Sequence, residues 1–172
     1  SGGERRRVAL CRLLLERGLE PILQLGCRDR NRIALQADLL GAHALGIRNV
    51  LCLTGDPVKA GNQPEARAVF DLESVRLLRQ VQQLNGGIGP AGKPLADGAP
   101  ALFPGAAADP QSGSWSGLTS RMRRKAEAGA RFVQTQMVMG IATFWKTSKD
   151  GTLHTLVLRM EKMQMEMDGV MV

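Results

Sequence analysis

The chain has 172 residues, of which 44% are apolar and 23% are charged, and its formal net charge is +7. This length suffices for one domain with a hydrophobic core, but a complete (β/α)8 barrel needs about 250 residues, so any barrel is expected to be partial. Aromatic residues make up only 3% of the chain and tyrosine is absent, which argues against an RNA-binding surface of stacked rings. The positive charge favours an anionic partner, such as nucleic acid or a phosphorylated cofactor. The alternative is that it belongs only to a solvated surface.

The cysteines and the hydropathy pattern indicate the type of protein. Cys11, Cys27 and Cys52 lack the spacing of a zinc site, and an odd number cannot all pair within one chain. Cys27 and Cys52 lie in apolar runs, where buried free thiols are expected. No run of 18 apolar residues and no signal-peptide pattern occurs. These features predict a cytoplasmic, soluble protein without a metal site and without membrane contact.

The central region alternates short apolar runs with helical patterns. Strands are predicted at residues 21–27, 49–53, 101–107 and 131–138. Helices are predicted at residues 30–45, 71–84 and 121–128, the second with Asp71 as its N-cap. Strands that alternate with helices over roughly 30 residues indicate a parallel sheet with right-handed crossovers. The predicted fold class is α/β, with about four parallel strands and flanking helices.

Two segments resemble parts of ATP-binding proteins. Residues 87–93 match GxxxxGK, but Pro94 stands where a hydroxyl must bind Mg²⁺, and Pro90 and Pro94 lack the N–H groups that hold a phosphate. Residues 1–16 closely resemble the signature segment of ABC-type ATPases. Without a usable P-loop, residues 1–18 are predicted to be only a basic amphipathic helix. The Met-rich segment 140–172 suits a helix or a strand, so three parts are expected: 1–18, 19–139 and 140–172.

Polar side chains follow the predicted strands. The run Asn49 to Leu53 is apolar and ends at Gly55 and Asp56, and ligands of α/β folds bind at the carboxyl ends of parallel strands. The sequence Gly-Asp-Pro is equally good turn chemistry, so the motif alone leaves both interpretations open. Other predicted strand ends also carry polar groups, namely Gln24 with Arg28 and Asp29, Asp109, and Thr135 with Gln136. Their convergence favours a site.

A basic run extends over residues 121–125. It is predicted to begin a helix directly after a strand-end loop. Arginine at such a position could bind the phosphates of a cofactor in bidentate fashion. The alternative is a solvated helix face, which is what most basic runs form.

Three segments together resemble a known family. LQLGCRDRNR at 23–32, LGIRNVLCLTGDP at 45–57 and AGARFVQTQ at 128–136 are similar, in order and spacing, to the methylenetetrahydrofolate reductase family. The resemblance covers residues 19–139. It implies a partial (β/α)8 TIM-type barrel, whose four strands correspond to the third to sixth of the family's barrel. It also implies FAD as cofactor, NAD(P)H as reductant and reduction of 5,10-methylenetetrahydrofolate to 5-methyltetrahydrofolate.

The resemblance assigns roles at the end of the second strand and on the first strand. Asp56 matches an acid beside the flavin and the pterin that stabilises the cationic iminium form of the substrate, and it is the expected catalytic residue. Thr54 and Gly55 occupy flavin-contacting positions, and Gln24 occupies the position of a polar residue lining the flavin.

Further roles follow from the resemblance near the fourth strand. Lys125, with Arg124, matches a basic pair near the FAD phosphates. Gln136 matches a glutamine that contacts the folate ring. The expected partners are therefore a folate substrate and FAD.

The chain also departs from the family pattern. The family's first strand, which carries a Glu that acts as general acid, has no counterpart, and its seventh and eighth strands are not recognisable in residues 140–172. Two alternatives therefore stay open: an inactive scaffold of the same fold, and a nucleic-acid-associated module built on the basic helix from Arg5 to Arg12. Nucleic acid is the less favoured partner because basic residues are interspersed with acidic ones. Open sheet edges suggest a possible homo-oligomer.

Overall fold

A computed structural model describes residues 10–110 and 113–136. Four strands form one parallel sheet in the order β1-β2-β3-β4. Their bounds are Ile22–Gly26 for β1, Asn49–Leu53 for β2, Phe103–Ala108 for β3 and Phe132–Thr135 for β4. The predicted α/β class and the four parallel strands are confirmed. An eight-stranded barrel needs twice this number, so the sheet agrees with a partial TIM-type barrel.

The helices follow the strands along the chain. The described part of α1 covers residues 10–16. The later helices are α2 at Arg32–Ala44, α3 at Ser74–Asn85 and α4 at Trp115–Glu127, with a short 3-10 helix at Val58–Ala60. Gly46 ends the α2 region with a φ of 81°, as expected for a residue that tolerates the left-handed conformation. Among the described residues, no helix has both the length and the apolar character that a membrane span requires.

The hydrophobic core lies between the sheet and the helices. Alternate residues of a strand point to opposite faces, and Leu25, Val50 and Cys52 point to the helix side, where they are at most 1% exposed. Leucines of α2 and α3 complete this core: Leu35, Leu39, Leu77, Leu78 and Leu84. Cys27 and Cys52 are both fully buried and unpaired, as their apolar surroundings predicted.

The opposite face of the sheet is exposed at β1, where Gln24 lies, and covered at its centre, where Leu51 is only 2% exposed. Gln24, Leu51, Gly105 and Phe132 are neighbours in register across the four strands. The rings of Phe103 and Phe132 stack with centroids 5.8 Å apart. A side chain at Gly105 would overlap with the Phe132 ring, so a larger residue there would require that ring to move.

The predicted N-cap of α3 was wrong. The helix begins at Ser74, and the residue at its N-cap is Glu73, whose side chain makes no capping hydrogen bond. Asp71 accepts hydrogen bonds from Arg32 instead. The Ser74 N–H donates to Thr54 Oγ1, at 3.1 Å. A side chain distant in sequence therefore caps α3, which local sequence rules do not anticipate.

The predicted start of α4 was also wrong. The helix begins at Trp115, and the Ser114 hydroxyl caps it by accepting from the Gly117 N–H at 3.2 Å. The segment before Arg121 is polar and carries little hydrophobic periodicity, so its helical character was not apparent. The basic run 121–125 therefore lies in the second half of α4 and not at its amino end.

The GxxxxGK segment has no phosphate-binding geometry. It lies between the end of α3 and the start of β3, at the edge of the sheet opposite to the carboxyl ends of the strands. The Gly89 N–H donates to Lys93 O and the Gly92 N–H to Gly89 O, both at 2.8 Å. These N–H groups are therefore engaged within the loop. The ATPase-like residues 1–9 and the Met-rich segment 140–172 lie outside the described residues.

Gly41→Ala is expected to stabilise the chain. Gly41 lies inside α2, and a Cβ there would meet no other atom within 4 Å. Alanine in a helix interior is more stable than glycine by about 0.5–1 kcal/mol, and urea unfolding should show this increase. The matched control is Gly105→Ala, which should lower the free energy of unfolding because its methyl would overlap with Phe132. A Gly41→Ala variant less stable than the wild type would contradict the packing described for α2.

Candidate functional site at the carboxyl ends of the strands

The carboxyl ends of the four strands form one edge of the sheet. The ladder continues beyond the strands, since the Cys27 N–H donates to Leu53 O and the Gln136 N–H to Ala108 O, at 3.0 and 2.8 Å. By this register, Arg28, Gly55, Asp109 and Gln136 lie side by side along the edge. Asp56 follows Gly55 directly. The polar residues predicted at the strand ends therefore do share one edge.

Arg28 and Gly55 are in close contact at the ends of β1 and β2. Gly55 has a φ of 91°, and a Cβ there would be 2.9 Å from Arg28 Cβ, so glycine is needed both for conformation and for space. The Arg28 guanidinium donates to both carboxylate oxygens of Asp29, at 2.7 and 2.9 Å. This hydrogen bonding raises the pKa of Arg28, and the charge of Asp56 adds to the increase. Asp56 therefore lies near the Arg28 guanidinium, which is hydrogen-bonded to Asp29.

Thr54 has a structural contact. Its hydroxyl accepts from the Ser74 N–H and lies 3.1 Å from the Ser74 hydroxyl. The side chain therefore ties the end of β2 to the first turn of α3.

Gln24 lies on the face of the sheet opposite to the helices. Its side chain is exposed, and Gly26, two residues further along the same face, has no atom within 4 Å of a Cβ position. The space directly beside Gly26 is therefore open.

A cavity of about 210 Å³ lies at the ends of β3 and β4, against α4. Its polar lining consists of Arg121, Lys125, Asp109 and Gln136. Lys125 Nζ donates to Ala107 O at 2.6 Å. Burial lowers the pKa of Lys125, and the positive charges of Arg121 and Arg124 lower it further. The cavity holds two cations and one carboxylate, which suits an anionic group.

The structure unites some of the predicted site residues and separates others. Lys125 and Gln136 line the same cavity, whereas Arg124 is not part of its lining. Arg121 takes its place; it belongs to the basic run that the sequence singled out as a possible phosphate site, but the family resemblance did not assign it a role. The i, i+4 spacing of Arg121 and Lys125 puts both on one helix face, and this was the signal that could have identified it.

Asp56 is separated from the β3–β4 cavity. It follows β2, while Gln136 follows β4, so two strand spacings of the sheet, about 10 Å in total, lie between them. The predicted site therefore has two halves on one edge: a β1–β2 half with Gln24, Thr54, Gly55 and Asp56, and a β3–β4 half with Lys125 and Gln136.

The buried thiols have no nucleophilic role. Burial raises the pKa of Cys27 to about 11 and that of Cys52 to about 12, with smaller contributions from Glu73 and from Cys27 respectively. Both thiols are protonated near neutral pH and cannot act as thiolates. Within the described residues, no group of three or more His, Cys, Asp or Glu side chains could hold a metal ion.

Comparison with known proteins assigns the chain to a family. The family model described as methylenetetrahydrofolate reductase matches residues 1–157. The chain belongs to this family. A similar curated protein is the probable methylenetetrahydrofolate reductase (NADPH) of Caenorhabditis elegans, with 28% identity over 133 residues, which is 77% of this chain. The aligned part is 18% of that relative's length, so the chain corresponds to a small part of it. The family resemblance seen in the sequence is confirmed.

Thr54→Val is expected to lower the free energy of unfolding by about 1 kcal/mol, because it removes the side-chain cap of α3. Thr54→Ser keeps the hydroxyl and should remain close to the wild type. Chemical denaturation of the two variants gives the comparison. Equal stability of the Val and Ser variants would show that the contact between Thr54 and Ser74 does not cap the helix.

Proposed function

We propose that this member of the methylenetetrahydrofolate reductase family binds FAD and a folate along the strand-end edge. The reaction is the reduction of 5,10-methylenetetrahydrofolate to 5-methyltetrahydrofolate with NAD(P)H. The observation that carries the proposal is the pair of half-sites on one edge: a cation-lined cavity beside β3 and β4, and an exposed carboxylate at the end of β2.

The β3–β4 half fits the phosphates of FAD. Arg121 and Lys125 line a cavity that also contains the Gln136 side chain. A half-buried ammonium and a guanidinium together form strong charge-assisted hydrogen bonds to phosphate oxygens. The lowered pKa of Lys125 shows that its charge is costly in these surroundings, and a bound anion would offset that cost.

The β1–β2 half fits the flat ring of the cofactor and the reacting part of the folate. The space above Gly26 is open, and Gln24 points to the same face. The positive φ of Gly55 lets the backbone approach a ligand closely. Residues from both halves could contact one planar ligand, because the halves are only about two strand spacings apart.

Asp56 is the residue proposed to act in the reaction. A carboxylate beside the iminium of the substrate lowers the energy of its positive charge. Arg28 does not neutralise Asp56 by a hydrogen bond, because its guanidinium binds Asp29. Gln136 would orient the folate ring by hydrogen bonds. FAD, when bound, supplies the hydride transfer from NAD(P)H to the substrate.

The direct test is a flavin absorbance spectrum followed by folate-dependent turnover. The purified chain should retain or take up FAD, and NAD(P)H should bleach the flavin band. Asp56→Asn should keep FAD but reduce the folate-dependent rate by about a hundredfold or more, because one charge-stabilising group is typically responsible for that much. A colourless chain that ignores added FAD would reject the proposed function. Bleaching without a folate-dependent rate would identify the chain as an inactive scaffold of the family fold.

Lys125→Gln is expected to weaken FAD binding about tenfold or more, because it removes a charge-assisted contact with phosphate. The matched control is Arg123→Gln, since Arg123 is exposed and does not line the cavity. The pKa of Lys125 is lowered from 10.5, so FAD affinity in the wild type should fall as the pH rises through that lowered pKa. Fluorescence titration of FAD at several pH values tests both effects. Equal affinities of the Lys125 and Arg123 variants would exclude Lys125 from the phosphate site.

A further inference from the structure

The loop between β2 and α3 borders the strand-end edge and contains Asp56. Residues 59–70 of this loop are all exposed. Its internal backbone hydrogen bonds are short in range, such as Ala60 N–H to Pro57 O and Ala66 N–H to Gln63 O, at 2.9 and 3.1 Å. A segment with few buried contacts opens locally at low free energy. The conformation of the loop therefore depends on the contacts that it makes with the rest of the protein.

One of these contacts is an ion pair between Asp71 and Arg32, the first residue of α2. The Asp71 carboxylate accepts from the Arg32 backbone N–H at 2.9 Å and from Arg32 Nη2 at 2.9 Å. Arg32 Nε also donates to it, at 3.1 and 3.2 Å. The N–H groups of the first helical turn have no partner within their own helix, so one carboxylate caps α2 and binds a guanidinium. Hydrogen bonding to Arg32 lowers the pKa of Asp71 to about 2.

A strained residue lies directly beside this ion pair. Phe70 has a φ of 42°, in the left-handed region that a bulky side chain rarely adopts. On its other side, the Val69 N–H donates to Arg28 O at 2.7 Å. Strained backbone persists where neighbouring contacts determine it, and Phe70 is held between two such contacts.

Arg28 connects this end of the loop to Asp56. Its carbonyl accepts from Val69, and its Cβ faces the Gly55 backbone so closely that a Cβ on Gly55 would be 2.9 Å away. A displacement of residues 69–71 would therefore be transmitted through Arg28 to Gly55 and Asp56.

We propose that the Arg32–Asp71 ion pair is a positioning strap, which fixes the β2–α3 loop against the start of α2 and thereby holds Gly55 and Asp56 in place at the site. The effect on ligand affinity rests on the proposed function; the effect on the loop itself does not. Arg32 and Asp71 act through the loop and are positioning residues.

Hydrogen–deuterium exchange of the whole chain without ligand tests the strap. Arg32→Leu and Asp71→Asn should each accelerate exchange in peptides covering residues 57–70 by about fivefold, since an exposed multidentate pair contributes on this scale. Peptides of β2 should not change. The matched control is Arg12→Leu, which breaks the exposed Arg12–Glu16 pair of α1 and should leave the loop unaffected.

FAD titration of the same variants tests the positioning role. Because the Gly55 backbone is proposed to approach the ligand, Arg32→Leu and Asp71→Asn should raise the Kd for FAD about three- to fivefold, while Arg32→Lys, which keeps the positive charge, should restore part of the affinity. Unchanged exchange in residues 57–70 would overturn the strap even if FAD binds. Faster exchange with unchanged FAD affinity would overturn the positioning role. A wild-type chain that binds no FAD would instead reject the proposed function, and the exchange data would still decide whether the strap holds the loop.

Discussion

Ladder hydrogen bonds between the four parallel strands bring residues from distant parts of the chain to one edge of the sheet. Arg28, Gly55, Asp109 and Gln136 become neighbours through this register. A shift of one residue in any strand would exchange its two faces and move its terminal side chain away from the edge. The buried leucines between the sheet and the helices prevent such a shift. Packing on the helix side of the sheet therefore determines the geometry of the site.

The strand-end edge combines contacts that hold the fold with groups that are available to a ligand. Thr54 and Asp71 are engaged with Ser74 and Arg32, so their polar atoms stabilise helix starts. Asp56 and Gln24 are exposed and can interact with a ligand. Thr54, Asp56 and Asp71 all lie between β2 and α3, so the helix caps and Asp56 depend on the same loop.

The sequence predicted β1 and β2 well because each is a compact apolar run, whereas β4 carries polar residues and is shorter than the predicted 131–138. The strand before Gly55 ends at its predicted bound, Leu53, and Gly55 has a positive φ of 91°, which is not a strand conformation. The start of α4 could not be predicted, because Ser114 caps a polar segment without hydrophobic periodicity. Asp71 was taken for a local cap although its partner Arg32 lies 39 residues earlier. The candidate site residues after β2 were named from the family resemblance and stay predictions, whereas the place of Arg121 in the cavity lining depends on the rotation of α4 about its axis.

The central claim is that the two halves of the strand-end edge contact one ligand. A crystal structure of the chain with FAD tests it most directly. The account predicts FAD phosphates within hydrogen-bond distance of Lys125 and Arg121, and the flavin ring between Asp56 and Gln136 on the face of the sheet opposite to the helices. Density for FAD at another place, or side chains of Asp56 and Gln136 directed away from a common ligand, would contradict it.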